Sequence, residues 1–259
     1  MKRHFYPLLS YLHYWLVKED QYALQSPFVF DVYNGLLGYI QQSKGKDLEI
    51  EEFRKTLLSS DQTCEVEDFG AGSIKLTKPK RKISSVTKYS TSSRKFSQLY
   101  QFFCSKTPAL NVYELGTCVG INTRYLAQAT KGTLFTFEGS QALWSQSQEI
   151  PKPENTHFVL GNLKNSLPYI LDKNHPVDFA LLDANHTFQA TLEYFELILP
   201  KIKESSIIAI ADIHWSKEMN RAWEKIKSYP EVVISLDFFE CGILFFDKTL
   251  SKSHYTLHY

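Results

Sequence analysis

Two glycine-containing stretches have the residue types and spacing of a loop that could hold a nucleotide-like cofactor. The first is VEDFGAGSIK, residues 66–75, in which an acid precedes glycines at positions 70 and 72. The second is VYELGTCVGINTRYLA, residues 112–127, in which Gly116 and Gly120 are more widely spaced. Glycine allows close approach of a ligand to the backbone because it has no Cβ atom. The two stretches are therefore rival candidates for a cofactor site.

The surrounding sequence favours the second stretch. A cofactor loop of this kind follows a buried strand, opens a helix and precedes a strand that ends in an acid. Residues 112–127 meet these conditions, because ALNVYEL precedes the glycines, an apolar helical face follows, and the next strand, TLFTFE, ends in Glu138. The first stretch instead follows the polar QTCEVED and precedes a basic segment that contains Pro79. We therefore expect residues 66–75 to lie outside the cofactor site, either as a simple turn or as part of a lid that covers the acceptor.

Two later stretches, LLDANH and IADIHW, place carboxylate and imidazole side chains directly after apolar runs. Ligands of open α/β sheets bind beyond the carboxyl ends of the strands, so these stretches are expected to line the reactive part of a site. An imidazole is basic near neutral pH and is suited to accept a proton. The candidate residues are Asp183, Asn185, His186, Asp212, His214 and Trp215.

The elements that would position these residues begin near Leu110. From there, five short β-rich runs alternate with amphipathic helical segments, which predicts a parallel sheet covered by helices on both faces. The last two runs, EVVISLDFF and CGILFFDK, are joined by a short turn and predict an antiparallel hairpin. The fold class is therefore α/β: a Rossmann-like, seven-stranded, mostly parallel sheet ending in an antiparallel hairpin. Residues 1–105 read as a helical N-terminal extension or lid, without a strong strand.

Residues 110–247 resemble the class I S-adenosylmethionine-dependent methyltransferases, through the second glycine loop and the closing hairpin. The resemblance implies a methyltransferase domain over residues 106–259 that binds S-adenosylmethionine. It implies that Glu114 orients the methionine end of the cofactor, that Glu138 binds the ribose hydroxyls and that Asn162 faces the adenine edge. The cofactor-binding residues that it implies are Glu114, Gly116, Thr117, Gly120, Glu138, Gly139, Asn162 and Asp183.

The acceptor side is similar to the catechol and caffeoyl-CoA type O-methyltransferases. That branch binds a divalent cation with an acid after the fourth strand and an Asp-Asn pair after the fifth, which Asp183 and Asp212 match in part. The Asn of the pair is Ile213 here, and His186 stands where the branch has a catalytic lysine. The resemblance therefore leaves two readings open: a cation held by Asp183 and Asp212, or His186 acting alone as the base. His214 is a further catalytic candidate.

Composition bounds the remaining possibilities. The chain has 259 residues, a net charge of +1 and four cysteines without a Cys-x-x-Cys pair, from which we expect a cytoplasmic protein with reduced thiols. Its start, MKRHFYPLLSYLHYWLV, is basic and then apolar, but it lacks the pattern of a signal peptide. We expect a small-molecule acceptor and neither a nucleic-acid nor a membrane partner, and we leave homodimerisation open.

Three alternative functions remain at this point. An NAD-linked dehydrogenase would share the early strands, but Gly116-Thr-Cys-Val-Gly120 lacks the Gly-x-Gly-x-x-Gly spacing that it needs. The acceptor could be a protein or another macromolecule. The domain could also bind its cofactor or a partner without performing chemistry.

The charge of the N-terminal region is uneven. Segment 47–68 is rich in acids and segment 75–95 is rich in bases. The two segments form either two solvated faces or, for the basic one, part of a lid over an anionic substrate.

Overall fold

The computed structural model describes residues 5–67, 70, 76, 78–148, 152–173 and 176–259. Most of the first glycine stretch, including positions 68–69 and 71–75, lies outside the described residues. Within the described part, an eight-stranded sheet forms the centre of the molecule. Among these residues, no helix combines the length and the apolar character that are needed to cross a membrane.

The large sheet contains the predicted strands in the predicted succession. The strands are β3 (Asn111–Leu115), β4 (Thr133–Glu138), β5 (Thr156–Leu160), β6 (Val177–Leu182), β7 (Ile202–Ala211), β8 (Ile234–Asp237), β9 (Cys241–Phe245) and β10 (Ser253–Thr256). Their spatial order is β10-β8-β9-β7-β6-β3-β4-β5. Strands β3 to β7 are mutually parallel, which follows from the helices that connect them.

The predicted α/β fold with a closing hairpin is confirmed. Strand β9 is antiparallel to both β7 and β8 and lies between them. The prediction of seven strands was one too few, because β10 adds an eighth strand parallel to β8. The sequence of β10, SHYT, is short and only partly buried, so it lacks the apolar signal that identified the other strands.

Helices cover both faces of the sheet. Successive side chains of a strand point to opposite faces, and the central strands carry apolar side chains on both, so both faces must be covered. On one face, α2 and α5 pack against residues such as Val112 and Phe179. On the other face, α8, α9 and α10 pack against residues such as Tyr113 and Ala180. The helices are α1 (Phe5–Val17), α2 (Pro27–Gln42), α3 (Leu48–Leu58), α4 (Ile83–Tyr89), α5 (Arg94–Ser105), α6 (Ile121–Ala129), α7 (Gln141–Gln148), α8 (Leu163–Lys173), α9 (Phe188–Ile198) and α10 (Lys217–Lys227).

The N-terminal region is helical, as expected, with one small exception. Strands β1 (Thr63–Glu65) and β2 (Lys80–Lys82) form a separate two-stranded antiparallel sheet. The sequence predicted no strong strand before about residue 110, and it did not identify this pair because three residues per strand give no periodic signal. The division of the chain near residue 105 stays a prediction, although α2 and α5 share the core of the large sheet.

The carboxylate of Asp47 ties the N-terminal helices to the sheet domain. It accepts hydrogen bonds from Arg94 Nε at 2.7 Å, Gln98 Nε2 at 2.9 Å and Tyr125 Oη at 2.7 Å. Burial favours a higher pKa for Asp47, but the hydrogen bonds from Arg94 and Tyr125 outweigh it and hold the pKa below its ordinary value. The ionised form is therefore part of the folded structure.

We expect Asp47→Asn to lower the free energy of unfolding at neutral pH by about 1.5–3 kcal/mol, because it weakens charge-assisted hydrogen bonds. A lowered pKa gives stability that is present above the unfolded pKa and is lost as the pH falls through the folded pKa. The difference between wild type and variant should therefore shrink in acid, as measured by urea unfolding at several pH values. Asp61→Asn, in an exposed pair with Lys82, is the control and should leave stability unchanged. A pH-independent difference for Asp47→Asn would contradict this account.

Candidate active site

The carboxyl ends of β3, β4, β6 and β7 open on one cavity of about 520 Å³. Gly116 follows β3, Glu138 ends β4, Asp183 follows β6 and Asp212 follows β7, and all four line this cavity. The second glycine loop and the two acidic strand ends predicted from the sequence therefore meet at one place.

Gly116 permits two strand ends to come together. Its φ is +110°, and a Cβ atom there would lie 2.2 Å from the carbonyl oxygen of Asp183. The amide of Asp183 in turn donates a hydrogen bond to the carbonyl of Leu115 at 2.9 Å. The glycine is thus required by contact with a neighbouring loop of the protein, whereas the sequence reasoning attributed it to contact with a ligand.

Glu138 presents its carboxylate at the cavity wall. Its oxygens accept hydrogen bonds from the amides of Cys118 at 2.8 Å and Ser140 at 2.9 Å, which fix the side chain in place. Burial raises the pKa of Glu138, while these backbone hydrogen bonds oppose the rise. Gly139 lies beside it on the cavity wall. A carboxylate held in this way still has lone pairs to offer a pair of hydroxyl groups.

Three residues of the second glycine stretch do not line the cavity themselves: Glu114, Thr117 and Gly120. Glu114 is fully buried, and one of its oxygens accepts hydrogen bonds from the hydroxyls of Thr123 and Thr136, each at 2.6 Å. Burial raises the pKa of Glu114 to about 7. Thr117 is also buried, with its hydroxyl 2.6 Å from that of Thr136, and a Cβ on Gly120 would meet the side chain of Arg124.

The cofactor contacts expected of Glu114, Thr117 and Gly120 stay a prediction. None of the three lines the cavity, but Oε1 of Glu114 is buried without a hydrogen-bond partner among the described residues. Gly120 immediately precedes α6 in a left-handed conformation, with φ +79°, which explains why a glycine stands there. The other oxygen of Glu114 and the hydroxyl of Thr117 both contact Thr136 and so stabilise the loop that carries Gly116.

Asn162 lies on the cavity wall at the end of β5 and also starts the next helix. Its Oδ1 accepts a hydrogen bond from the amide of Lys164 at 3.0 Å, an arrangement typical of a residue that precedes a helix. The side chain therefore has a structural role that the sequence already left open, and it faces the same space as Glu138.

The centre of the reactive end is a cluster formed by Asp183, His186 and Asp212. His186 Nε2 lies 3.7 Å from Asp183 Oδ1, and His186 Nδ1 lies 3.7 Å from Asp212 Oδ2. These distances exceed a hydrogen bond, and Nδ1 is buried without a hydrogen-bond partner among the described residues. Burial raises the pKa of Asp183 well above its ordinary value, and the neighbouring Asp212 raises it further.

The backbone of this cluster is strained in a way that is common at functional sites. His186 and Asp212 have φ values of +45° and +57°, and Asn185 has +63°. Non-glycine residues adopt such values rarely, at a cost of order 1–3 kcal/mol each. One ligand atom from each of Asp183, His186 and Asp212 can come within 4.8 Å of the other two, so the three could share a cation.

His214 faces away from this cluster, which corrects its selection as a catalytic residue. Its Nε2 lies 2.7 Å from Asp237 Oδ2, its Nδ1 lies 3.2 Å from Asn220 Nδ2, and its ring stacks on Phe239. It lines a different pocket, beside α1. Asp212 has a left-handed backbone with φ +57°, so the alternation of strand β7 does not continue through the turn and the direction of His214 does not follow from its spacing.

The sequence reasoning missed the side of the cavity that the N-terminal region supplies. Hydroxyl side chains precede α5, and Ser92 among them is anchored by Asn122 Nδ2 at 3.0 Å. The run YSTSS was visible in the sequence, but no motif connected it to the site. The N-terminal lining includes Pro7, Val66, Glu67, Gly70, Arg81, Tyr89, Ser90, Thr91, Ser92, Ser93 and Tyr100.

Gly70 shows that the first glycine stretch is not remote from the site. A Cβ on Gly70 would lie 2.4 Å from the Cα of Asn185, and Gly70 lines the same cavity. This position beside Asn185 fits the alternative that the stretch belongs to a lid over the acceptor, and its place outside the cofactor site stays a prediction. A glycine is required at position 70 because this residue packs closely against the loop after β6. A cofactor loop between a strand and a helix would need its glycines for a different reason.

Comparison with known proteins assigns the part of the chain that forms this site. Residues 113–213 match a family model described as a methyltransferase domain. This part of the chain is therefore similar to a methyltransferase domain. The matched range includes Gly116, Glu138, Asp183, His186 and Asp212, all of which line the cavity. No curated protein matches the sequence.

Solved structures share the fold of this chain at low sequence identity. The O-methyltransferase from Bacillus cereus, solved in complex with SAH, is 19% identical, with 60% of this chain and 83% of that chain covered and a TM-score of 0.51. The O-methyltransferase TomG from Streptomyces achromogenes is 16% identical over 61% and 82%, with a TM-score of 0.51. A proposed caffeoyl-CoA O-methyltransferase from Staphylococcus aureus is 12% identical over 81% and 97%, with a TM-score of 0.56. At these identities the likeness establishes the fold.

Proposed function

We propose that the protein transfers a methyl group from S-adenosylmethionine to a hydroxyl group of a small molecule. The observation that carries the proposal is the position of His186, which lies between two carboxylates in the cavity that Gly116 and Glu138 also line. A cofactor held by Glu138 would occupy the same cavity as that histidine and would supply the methyl group there. The bound cofactors of the Bacillus cereus structure and of the TomG complex with SAM support the same assignment.

In this proposal Glu138 binds the ribose of the cofactor. Its oxygens are already oriented by two backbone amides, so binding the two ribose hydroxyls would cost little further ordering. Asn162 lies on the same wall and would face the adenine edge with its amide group, while Gly139 leaves room beside the ribose. The hydroxyl-bearing residues Ser90, Thr91, Ser92 and Ser93, which precede α5, line the same cavity and could hydrogen-bond the polar end of the methionine group.

His186 acts in the chemical step as the proton acceptor. The acceptor hydroxyl loses its proton to an imidazole nitrogen while its oxygen bonds to the methyl carbon. The bond between this carbon and the sulfonium sulfur breaks, and its electron pair remains on sulfur. The products are a methyl ether, S-adenosylhomocysteine and an imidazolium. Asp183 and Asp212, one on each side of the ring, would stabilise that positive charge.

The same three side chains are chemically suited to a divalent cation. Two carboxylates and one imidazole are common ligands, and the unpartnered Nδ1 of His186 is available to one. A cation there would polarise the acceptor hydroxyl and lower its pKa. However, each nitrogen of His186 faces a different carboxylate, and Ile213 is fully buried in the core where the resembling branch has an amide. These two observations favour the histidine as the base.

The free thiols bear on the compartment. Cys64, Cys104, Cys118 and Cys241 form no disulfide, and Cys104 and Cys241 are buried. This is consistent with the reducing compartment that we expect for the protein.

Cofactor binding is tested by thermal unfolding. S-adenosylhomocysteine should raise the melting temperature, because a ligand that binds only the folded state stabilises it, whereas NAD should not. Glu138→Gln should weaken this affinity at least about tenfold through loss of charge-assisted hydrogen bonds. Glu204→Gln, at an exposed position of β7, is the matched control and should bind like the wild type. Stabilisation by NAD alone would refute the proposal.

A further inference from the structure

Helix α1 exposes an apolar face to solvent. Six large side chains of this face are between 47% and 74% exposed: Leu8, Leu9, Tyr11, Leu12, Trp15 and Leu16. At 3.6 residues per turn they occupy a continuous arc of about 160°. The outward face of a surface helix is normally polar, and a continuous apolar face of this kind marks a site of association.

The helix itself is held firmly on the protein, so this face is not explained by poor packing. Tyr14, on the inward side, is buried and donates a hydrogen bond to the carbonyl of Leu257 at 2.6 Å. The ring of Tyr14 lies 5.3 Å from that of Phe239, and Tyr11, at the edge of the outward face, also lies 5.0 Å from it, measured between centroids. The inward face therefore fixes the orientation in which the outward face is presented.

The residue types favour a lipid surface as the occupant. The first 18 residues contain no acid, and they include Lys2, Arg3 and Lys18. Lys18 Nζ lies 5.9 Å from the Trp15 ring centroid, so a basic group borders the apolar face at the helix end. Leucines with tryptophan and tyrosine, bordered by basic residues, are typical of helices that lie in the plane of an anionic membrane.

A second copy of the chain is the less suitable occupant. A helix of 13 residues is about 20 Å long and 10 Å wide. One face of such a helix offers far less than the roughly 800 Å² that each partner of a stable complex buries. A bilayer has no such requirement, because its binding strength increases with the apolar area inserted and with the charge of the lipids.

The position of α1 connects this face to the cavity. Pro7, in the first turn of the helix, lines the cavity that contains His186 and Asp212. We propose that α1 docks the protein on an anionic bilayer and that the acceptor is an amphiphile whose hydroxyl enters the cavity from the headgroup layer. The second part rests on the proposed methyl transfer, whereas the docking does not. The expectation of no membrane partner considered net charge and spanning segments, neither of which detects an interfacial helix.

Vesicle flotation tests the docking without any turnover. The full chain is mixed with vesicles of phosphatidylcholine alone or of phosphatidylcholine with phosphatidylglycerol. We expect it to float with the vesicles that contain phosphatidylglycerol, and the bound fraction should fall as salt screens the basic groups. The double variant Leu12→Asp with Leu16→Asp should bind at least tenfold more weakly. Tyr169→Asp, at an equally exposed position on α8, should bind like the wild type.

Further outcomes decide the proposal. The double variant should keep the wild-type melting temperature and its stabilisation by S-adenosylhomocysteine, because both leucines are exposed. Wild-type protein that stays unbound at every lipid composition would overturn the docking. Vesicle binding by the double variant at the wild-type level would overturn it too. The docking would also fail if the wild type bound no vesicles but formed a concentration-dependent dimer that the double variant does not form. If the wild type does not bind S-adenosylhomocysteine, the proposed function fails, but the docking on a bilayer is not affected.

Discussion

Replacing His186 with asparagine is expected to lower methyl-transfer turnover by about 100- to 10,000-fold, the usual cost of losing a general base. Asparagine suits the test because it tolerates the left-handed backbone that His186 adopts, with φ +45°. It also preserves polarity between Asp183 and Asp212 but cannot accept a proton at neutral pH. The affinity for S-adenosylhomocysteine should stay within about twofold, because Glu138 and Gly116 hold the cofactor in this account. Steady-state turnover and calorimetric affinity are the two measurements.

A histidine outside the cavity and a chelator sharpen this test. His157→Asn, at an exposed position of β5, should retain wild-type turnover. A chelator should leave the wild-type activity intact if His186 acts alone as the base. If activity is lost on chelation and restored by magnesium, the acceptor hydroxyl is polarised by a cation held by Asp183, His186 and Asp212. Undiminished turnover of His186→Asn on a genuine acceptor would contradict the catalytic assignment.

Gly116→Ala is expected to destabilise the protein by about 3 kcal/mol or more, a large effect for a single methyl group. Two causes add, because φ +110° strains a residue with a side chain and the new Cβ would lie 2.2 Å from the carbonyl oxygen of Asp183. At the size of this domain the melting temperature should fall by roughly 6 to 12 °C. Cofactor affinity should fall as well, since relief of the clash displaces the loop after β6.

Gly38→Ala is the matched control for this substitution. Gly38 lies within α2, and a Cβ there would have no atom within 4 Å. Because alanine favours a helix over glycine by about 0.5–1 kcal/mol, the control should be as stable as the wild type or more stable. Wild-type stability and affinity in Gly116→Ala would show that β3 and β6 do not meet as described.

The fold was predictable because its signals are local and repeated. Strand β6 is buried on both faces and reads as a short apolar run, VDFALL, interrupted only by Asp178, a pattern that no amphipathic helix would give. The same regularity placed Glu138 and Asp183 at strand ends, and the structure brings both to one cavity. Strand β10 escaped prediction because its four residues are held by pairing with β8, a contact between distant parts of the chain.

The site was predictable only where strand order determined it. Asp183, His186 and Asp212 follow neighbouring strands, so sequence alone could bring them together. The direction of a side chain within a turn depends on backbone angles that no pattern reports, which is why His214 was selected although it binds Asp237. Gly70 shows a second limit, since its packing against Asn185 depends on how the N-terminal region folds over the sheet.

The most direct test of the central claim is mass-spectrometric detection of methyl transfer from isotopically labelled S-adenosylmethionine to a panel of hydroxyl-bearing small molecules and amphiphiles. The account predicts a labelled methyl ether of at least one acceptor, formed with an equal amount of S-adenosylhomocysteine and nearly abolished by His186→Asn. Label found on a nitrogen, on a protein or on nucleic acid with all hydroxyl acceptors unmodified would contradict it. So would formation of the methyl ether at the same rate by the wild type and by His186→Asn.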